Sequence, residues 1–237
     1  GRRTWRLGQS CDETTPLLGH PQLRLLAEFE ETARYTLEPG DILYIPPGIA
    51  HCGSCDEASM SLSIGFRAPS HAEILRGLSD SLSEALSSDL RYVDADLQLT
   101  NHPGEIDAAA IERLNSILQQ YLGDPDRLAH WFGNFMTEPK YPELAGSDET
   151  LDEEELIEAL NDGAELVRSE GARLAWHRNS DASLTLFADG QSFPVYADAA
   201  KKWVPQLCEL SRIRPSLNEY TLPLLLALIN QGSFYLE

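Results

Sequence analysis

The apolar positions of this chain follow two different periods, and the period changes near residue 67. In residues 59–66, apolar side chains alternate with small or polar ones, as in a half-buried β-strand. Beyond residue 69, apolar positions recur at the spacing of one face of an α-helix. The pattern therefore predicts mixed α and β structure, with strands concentrated in the first part of the chain.

The alternating segment 59–66 is predicted to have two unlike faces. Its apolar face, which consists of Met60, Leu62, Ile64 and Phe66, is expected to pack against a core. The opposite face consists of Ser59, Ser61, Ser63 and Gly65. We expect that face either to line a cavity or to face water.

A first strand is predicted at the start of the chain, over residues 2–7. With period two, Arg3 shares one face of this strand with Trp5 and Leu7. An arginine among such neighbours is costly to bury unless an anion meets it. The anion is either a carboxylate of the protein or the carboxylate of a bound small acid. A loop-rich connection over residues 8–33 then leads to a second strand over residues 33–37.

Two turns enclose a short apolar run and place a histidine at the start of another strand. Pro39-Gly40-Asp41 precedes the predicted strand 42–45, and Pro46-Pro47-Gly48 follows it. The second turn leads directly to His51. A histidine held in this way is typical of metal-binding β-barrels of the cupin or jelly-roll type, although a hydrogen-bonded strand histidine is the alternative interpretation of His51 alone.

The helical pattern begins with a capping box, in which Ser70 is the N-cap and Glu73 lies at N3. His71 and Glu73 do not face each other on a helix, so we exclude them as a metal-binding pair. Three helices are predicted here, from the cap to about residue 86, over 107–122 and over 125–135. Residues 138–150 are predicted to form a linker. Helices with apolar faces pack within a domain or form a dimer interface.

The last part of the chain combines helices with a β-hairpin. The turn signal Asp189-Gly190 joins predicted strands at 184–188 and 192–196. The remaining predicted elements are strands at 164–168, 173–177 and 233–236 and helices at 152–160, 197–210 and 217–229. This combination is typical of a winged-helix module. Since residues 160–237 contain seven basic and nine acidic side chains, contact with protein is favoured over DNA reading.

The charge of the chain favours a basic protein as partner and disfavours nucleic acid. The 237 residues include 18 basic and 38 acidic side chains, for a net charge of -20, and -15 of this lies in residues 68–159. Phosphate binding requires a basic surface. The acidic charge could equally serve as a solvated surface that keeps the protein in solution. No apolar run is long enough for a membrane span, so no membrane contact is expected.

The four cysteines are too few and too unevenly spaced for a disulfide framework, which favours a reducing compartment, and we expect a cytoplasmic protein. Cys52 and Cys55 form a C-x-x-C spacing beside His51. A structural zinc site would need a second pair, and Cys11 and Cys208 are far apart. A redox motif would be expected at a helix start. Zinc and redox chemistry are therefore both disfavoured.

Several motifs in order resemble the bacterial ribosomal oxygenases of the JmjC/cupin class. They are Gly1-Arg2-Arg3-Thr4-Trp5-Arg6-Leu7-Gly8, Leu37–Gly48 with His51, Ser63–Pro69, Trp131-Phe132-Gly133 and Asn230–Tyr235. The resemblance covers essentially the whole chain. It implies a double-stranded β-helix barrel (cupin/jelly-roll, JmjC) over residues 1–67, a helical dimerisation region over 68–145 and a C-terminal winged-helix domain over 150–237.

The resemblance also implies an activity. Members of this family are 2-oxoglutarate- and Fe(II)-dependent oxygenases that use O₂ to hydroxylate C3 of an arginine in the sixteenth ribosomal protein of the large subunit. A basic ribosomal protein is accordingly the expected substrate, and a homodimer through residues 68–145 is the expected assembly. The alternatives are hydroxylation of a ribosomal-protein histidine and a non-catalytic cupin that acts as a ribosome-associated binding factor.

Three positions correspond to site residues of the family. His51 resembles the distal iron-binding histidine, and Arg3 resembles the arginine that pairs with the far carboxylate of 2-oxoglutarate. Ser61 lies where relatives carry an asparagine near the co-substrate. The family's His-x-Asp, which supplies the other two iron ligands, is expected just upstream of Gly1, so residues 1–237 alone are expected to be inactive.

Overall fold

A computed structural model describes residues 1–65, 68–98, 102, 104–140 and 150–237. The chain divides into two compact units, Gly1–Ala68 and Pro69–Glu237. Within the described residues, we find no helix that has both the length and the apolar character of a membrane span.

The first unit contains a three-stranded antiparallel sheet with strand order β2-β1-β3. The strands are β1 (Arg3–Ser10), β2 (Ala33–Leu37) and β3 (Ile49–Ser54). In the register of β1 and β3, Trp5 lies opposite Gly53 and Leu7 lies opposite His51. Predicted strands at 2–7 and 33–37 are confirmed, and so is the placement of His51 near a strand start.

Both predicted turns around residues 42–45 are present. Gly40 and Gly48 have φ values of 97° and 76°, in the left-handed region that favours glycine. The carbonyl oxygen of Gly48 accepts a hydrogen bond of 2.6 Å from the backbone N–H of Cys11. This bond ties the second turn to the end of β1 and thereby fixes where β3 begins.

Two predicted strands of the first unit are wrong for the described residues. Residues 42–45 and 59–65 form no regular strand. Met60, Leu62 and Ile64 are 86%, 88% and 82% exposed, so this face does not pack a core. A strand is stabilised by hydrogen bonds to a neighbouring strand, and no described residue pairs with either segment. Phe66, the last member of the predicted apolar face, lies outside the described residues.

The second unit begins with three helices, α1 (His71–Ala85), α2 (Ala108–Leu122) and α3 (Pro125–Thr137). The predicted capping box of Ser70 and Glu73 is present at α1. Aspartates cap the other two helices: Asp107 accepts from the N–H of Ala110, and Asp124 accepts from two N–H groups of α3. All three predicted helices are confirmed.

The rest of the second unit contains two three-stranded antiparallel sheets and four helices. The sheets have strand orders β8-β4-β9 and β5-β6-β7. The elements are α4 (Glu153–Asn161), β4 (Leu166–Arg168), β5 (Leu174–Arg178), β6 (Leu184–Ala188), β7 (Gln191–Val195), α5 (Asp198–Lys201), α6 (Trp203–Glu209), β8 (Arg212–Ile213), α7 (Leu222–Asn230) and β9 (Phe234–Leu236). One cluster of buried apolar side chains, including Leu156, Leu186 and Leu228, forms the core.

Most predicted elements of this region are confirmed, and two helices differ. The predicted helix 197–210 is divided into α5 and α6, because Pro205 has no N–H to donate to the carbonyl of Lys201. The predicted helix 217–229 begins only at Leu222. Before it, the Asn218 side chain accepts from the backbone N–H groups of Tyr220 and Thr221 and forms a turn instead.

Candidate functional site

His51 is held by its own strand in a way that suits metal binding. Its Nδ1 lies 3.0 Å from the backbone carbonyl oxygen of Ile49, at the start of β3. In the tautomer that carries the hydrogen on Nδ1, this atom donates to that carbonyl, and Nε2 keeps its lone pair. Metal-binding histidines commonly have this arrangement, since the hydrogen bond fixes both the tautomer and the ring. His51 is exposed.

Trp5 lies between His51 and Arg3 on one face of the sheet. The rings of Trp5 and His51 are 5.9 Å apart and tilted by 47°. On the other side, the guanidinium carbon of Arg3 lies 5.3 Å from the centre of the Trp5 ring, within the range of a cation–π contact. The sheet therefore brings together the two residues that were expected to share a site.

Arg3 is predicted to meet the far carboxylate of the co-substrate. Its Nε is buried, and among the described residues it has no hydrogen-bond partner. A buried donor without a partner is costly, and the cost is greater for a charged group. A carboxylate offers two oxygens that match the planar guanidinium. Arg3 thus fits the predicted binding of a dicarboxylic acid such as 2-oxoglutarate.

The opposite face of the sheet carries a separate group of side chains. Arg6 donates from Nη2 to the sulfur of Cys52 at 3.5 Å, and its guanidinium lies 5.5 Å from the centre of the Phe29 ring. Arg6 also lies 4.0 Å from Glu31, whose pKa is lowered chiefly by the hydrogen bond from Arg34. Cys52 lies opposite Arg6 in the sheet, so its side chain is on the other face from His51. All four cysteines are free.

Ser61 does not lie on the strands that carry His51 and Arg3. It is exposed and lies in the irregular segment at 57–65. No hydrogen bond joins it to Arg3 or His51 within the part of the chain that the structure describes. Its predicted place beside the co-substrate stays a prediction.

Among the described residues of the first unit, His51 is the residue that is predicted to bind a metal ion. Across the described ranges, no group of three or more His, Cys, Asp or Glu side chains is arranged to hold a metal ion. His51 alone could not hold iron tightly, since the usual non-haem site combines two histidines with one carboxylate.

A polar cavity in the second unit does not belong to this site. It has a volume of about 440 Å³ and lies where the start of α3 meets the sheet β5-β6-β7. Two of its lining side chains on α3 have partners beyond the helix: Asp126 accepts from the hydroxyl of Ser180, and His130 lies 2.7 Å from the hydroxyl of Ser192 on β7. These bonds join α3 to the sheet, so we assign the cavity a structural role.

Sequence reasoning placed Arg3 and Trp5 on one face but missed the contact of Trp5 with His51. That contact depends on the pairing of β1 with β3, two strands that are far apart in the chain. The sequence signal was the alternation of side chains along each strand. It shows which side chains share a face of one strand, but the register of pairing decides which residues of the two strands lie opposite each other.

Two families match this chain. Residues 1–74 match the family described as "JmjC domain", and residues 116–235 match the family described as "ROXA-like winged helix". The second match covers half of the chain and begins before α3. The predicted fold class of a JmjC cupin part followed by a winged helix is confirmed at this level. The closed barrel, the domain boundaries and the dimerisation region stay predictions.

Two curated relatives are similar to this chain over much of its length. The "Ribosomal protein uL16 3-hydroxylase" of Escherichia coli K12 is 33% identical over 175 residues, which cover 73% of this chain and 47% of that protein. The "Probable ribosomal oxygenase" of Haemophilus influenzae is 28% identical over 204 residues, which cover 81% of this chain and 49% of that protein. The chain thus spans about half the length of these relatives.

Solved structures of E. coli YcfD have the same fold. One X-ray structure matches with a TM-score of 0.85 at 28% identity and covers 100% of this chain and 63% of that chain. The structure of this ribosomal oxygenase in complex with cobalt and 2-oxoglutarate matches with a TM-score of 0.81 at 28% identity, with 100% and 62% coverage.

Proposed function

Because the chain belongs to the ROXA-like winged-helix family of bacterial ribosomal oxygenases, we propose that it acts in a 2-oxoglutarate- and Fe(II)-dependent protein hydroxylase. One observation carries the proposal: His51 and Arg3 lie on one face of a sheet, on either side of Trp5, within the segment that resembles a JmjC domain. The structure of the E. coli relative in complex with cobalt and 2-oxoglutarate supports a metal ion and 2-oxoglutarate as the groups that this site binds.

His51 and Arg3 have separate tasks in this proposal. His51 provides one ligand to Fe(II) through Nε2, and the other two ligands are expected from a His-x-Asp outside residues 1–237. Arg3 pairs with the carboxylate of 2-oxoglutarate that lies far from the metal. When bound, iron with 2-oxoglutarate and O₂ supplies the oxidant for hydroxylation, with succinate and CO₂ as the other products. The chain contributes by holding these groups in a fixed orientation.

We propose that the substrate is an arginine in a basic ribosomal protein, hydroxylated at C3. The E. coli relative is named for 3-hydroxylation of ribosomal protein uL16. A net charge of -20 would attract a basic protein and would repel nucleic acid.

The test is a hydroxylation assay with full-length protein, Fe(II), 2-oxoglutarate and peptides of uL16, scored by tandem mass spectrometry. The proposal predicts one added oxygen atom on an arginine. Addition to histidine instead would support the histidine hydroxylase. No addition to either, together with binding of the ribosomal protein, would support the non-catalytic binding factor. A His-x-Asp or His-x-Glu in the sequence that precedes Gly1 in full-length protein is required by the enzymatic proposal.

We also propose that the helical region 68–145 forms a homodimer. Five apolar side chains of α2 lie on or near one face of the helix and are between 36% and 54% exposed, namely Ile111, Leu114, Ile117, Leu118 and Leu122. A second copy of the same helix would cover them symmetrically.

The dimer is tested by light scattering on Leu114→Glu, with Gln120→Glu as the matched control on the other side of α2. The proposal predicts a dimer for wild type and for the control, and a monomer for Leu114→Glu. A monomeric wild-type protein at assay concentration would rule out this dimer.

A further inference from the structure

Gly53 is the residue of β3 that lies directly opposite Trp5 in the sheet. A methyl group built on its Cα would lie 2.9 Å from Nε of Arg3 and 3.2 Å from two ring atoms of Trp5. These distances show that the side chains of Arg3 and Trp5 extend across β3 and rest on the backbone of Gly53. Any side chain at this position would compete with them for the same space.

The φ angle of Gly53 is not in the left-handed region, so its backbone does not require glycine. The absence of a side chain therefore has a steric reason. The nearest atom to the added methyl group belongs to Arg3, whose long side chain can move without unfolding the sheet. An added methyl group is thus expected to displace the guanidinium more than the strands.

The Trp5 ring limits Arg3 from the other direction. It lies 5.3 Å from the guanidinium carbon, and the buried Nε is thereby held on the face that also carries His51. A free arginine side chain has many rotamers, and each one excluded before binding lowers the entropy lost on binding. Gly53 and Trp5 both contact the Arg3 side chain and thereby limit the positions that it can take.

We propose that Gly53 and Trp5 are positioning residues that hold the Arg3 guanidinium where it meets the far carboxylate of a 2-oxo dicarboxylic acid. This inference rests on the proposed function, since that function supplies the co-substrate. Gly53, within Cys52-Gly53-Ser54-Cys55, thus has a role that is independent of both cysteines.

Positioning of Arg3 can be separated from general stability by the choice of ligand. 2-Oxoglutarate has the far carboxylate, whereas 2-oxobutyrate has the same keto acid end and lacks that group. A displaced Arg3 weakens binding of the first ligand only. A loosened sheet would weaken both ligands and also the metal.

The experiment is calorimetric titration of Co(II)-loaded, full-length protein with each ligand, for wild type, Gly53→Ala and the control Ser54→Ala. Gly53→Ala is expected to weaken 2-oxoglutarate about 10- to 100-fold, the range of one lost charge-assisted contact. Affinities for 2-oxobutyrate and for Co(II) should stay within about twofold of wild type, and Ser54→Ala should match wild type throughout.

A second pair of variants keeps the test independent of Gly53→Ala folding. Trp5→Phe should retain most of the preference for 2-oxoglutarate over 2-oxobutyrate, and Trp5→Leu should lose most of it. Unchanged preference in both Gly53→Ala and Trp5→Leu would overturn the positioning roles and leave the proposed function intact. Failure of wild type to bind 2-oxoglutarate would instead overturn the proposed function, and the inference with it.

Discussion

Arg3 and His51 lie on the same face of one antiparallel sheet, and the indole of Trp5 separates the guanidinium from the imidazole. Arg3 is the first residue of β1, and His51 on β3 lies opposite Leu7 of β1. In the proposed function, His51 binds the metal and Arg3 binds the far carboxylate of 2-oxoglutarate, so replacements of the two residues should have different effects.

Replacement of Arg3 should weaken the co-substrate far more than the metal. In Arg3→Ala, the far carboxylate of 2-oxoglutarate loses a charge-assisted pair worth about 1.5–3 kcal/mol. Affinity for 2-oxoglutarate should fall by about one to two orders of magnitude, while affinity for Co(II) stays near wild type. Calorimetry on full-length protein measures both. Arg2→Ala is the matched control, because Arg2 is exposed and lies 3.7 Å from Glu57. Equal loss of metal and co-substrate in Arg3→Ala would refute the assigned role.

Replacement of His51 should weaken binding of the metal directly and binding of 2-oxoglutarate only as a consequence. His51→Ala removes a direct metal ligand, so Co(II) affinity in full-length protein should fall at least about tenfold, and the binding of 2-oxoglutarate that depends on the metal should fall with it. The visible absorption of bound Co(II) reports the change in coordination. His71→Ala serves as the control, since His71 lies on α1, outside the sheet that carries His51. An unchanged Co(II) spectrum in His51→Ala would show that the metal lies elsewhere.

Close packing of α3 against β6 predicts a stability effect at Gly133. A methyl group built there would lie 2.4 Å from the ring of Phe187, which is 2% exposed and cannot easily move. Gly133→Ala should therefore lower the free energy of unfolding by about 1–3 kcal/mol, despite the helix propensity gained. Chemical denaturation measures the change.

Gly77→Ala is the control for Gly133→Ala. Both glycines lie in helices, but a methyl group at Gly77 would be 3.3 Å from the rings of Trp131 and Phe135, so these rings would have to move by only a few tenths of an ångström. Gly77→Ala should therefore lower the free energy of unfolding much less than Gly133→Ala. If the two variants were equally stable, the contact of Gly133 with Phe187 would not be a tight one.

Cys208 should be protected from reaction and should make stability depend on pH in the alkaline range. Burial raises the pKa of the Cys208 thiol to about 11, from its ordinary value of 9.0. At pH 8, an alkylating reagent should label exposed Cys55 quickly and Cys208 only after unfolding. Mass spectrometry of labelled peptides distinguishes the two sites.

The same raised pKa fixes the sign of the pH effect. The folded protein holds this proton more tightly than the unfolded chain, so the stabilisation is complete below pH 9 and is lost as pH rises through 11. Compared with Cys208→Ala, wild type should lose more stability between these two values. Parallel curves for the two proteins would show that Cys208 does not titrate differently on folding.

The first four helices of the second unit, α1 to α4, could be predicted well, because each begins with a side-chain cap. Ser70 with Glu73 and the aspartates at 107, 124 and 152 form caps with residues a few positions away. Such signals are local, and they do not depend on the rest of the fold. The hairpin at Asp189 and Gly190 could also be predicted locally, because an Asp-Gly pair favours a turn in which both residues have positive φ, as they do here.

Segments whose structure depends on distant partners could not be predicted in this way. Residues 42–45 form a short apolar run and residues 59–65 alternate as in a strand, but a strand forms only where another strand pairs with it. Likewise, Arg3 and His51 could each be identified from the sequence, whereas the Trp5 contact between them depends on register. Local pattern specified the residues of the candidate site, and non-local pairing specified their arrangement.

The assigned roles of His51 and Arg3 are tested best by a crystal structure of full-length protein with Co(II) and 2-oxoglutarate. We expect Nε2 of His51 to bind the metal and the far carboxylate of 2-oxoglutarate to pair with the guanidinium of Arg3, across the ring of Trp5. A metal bound without His51, or a carboxylate held by any residue other than Arg3, would contradict these roles.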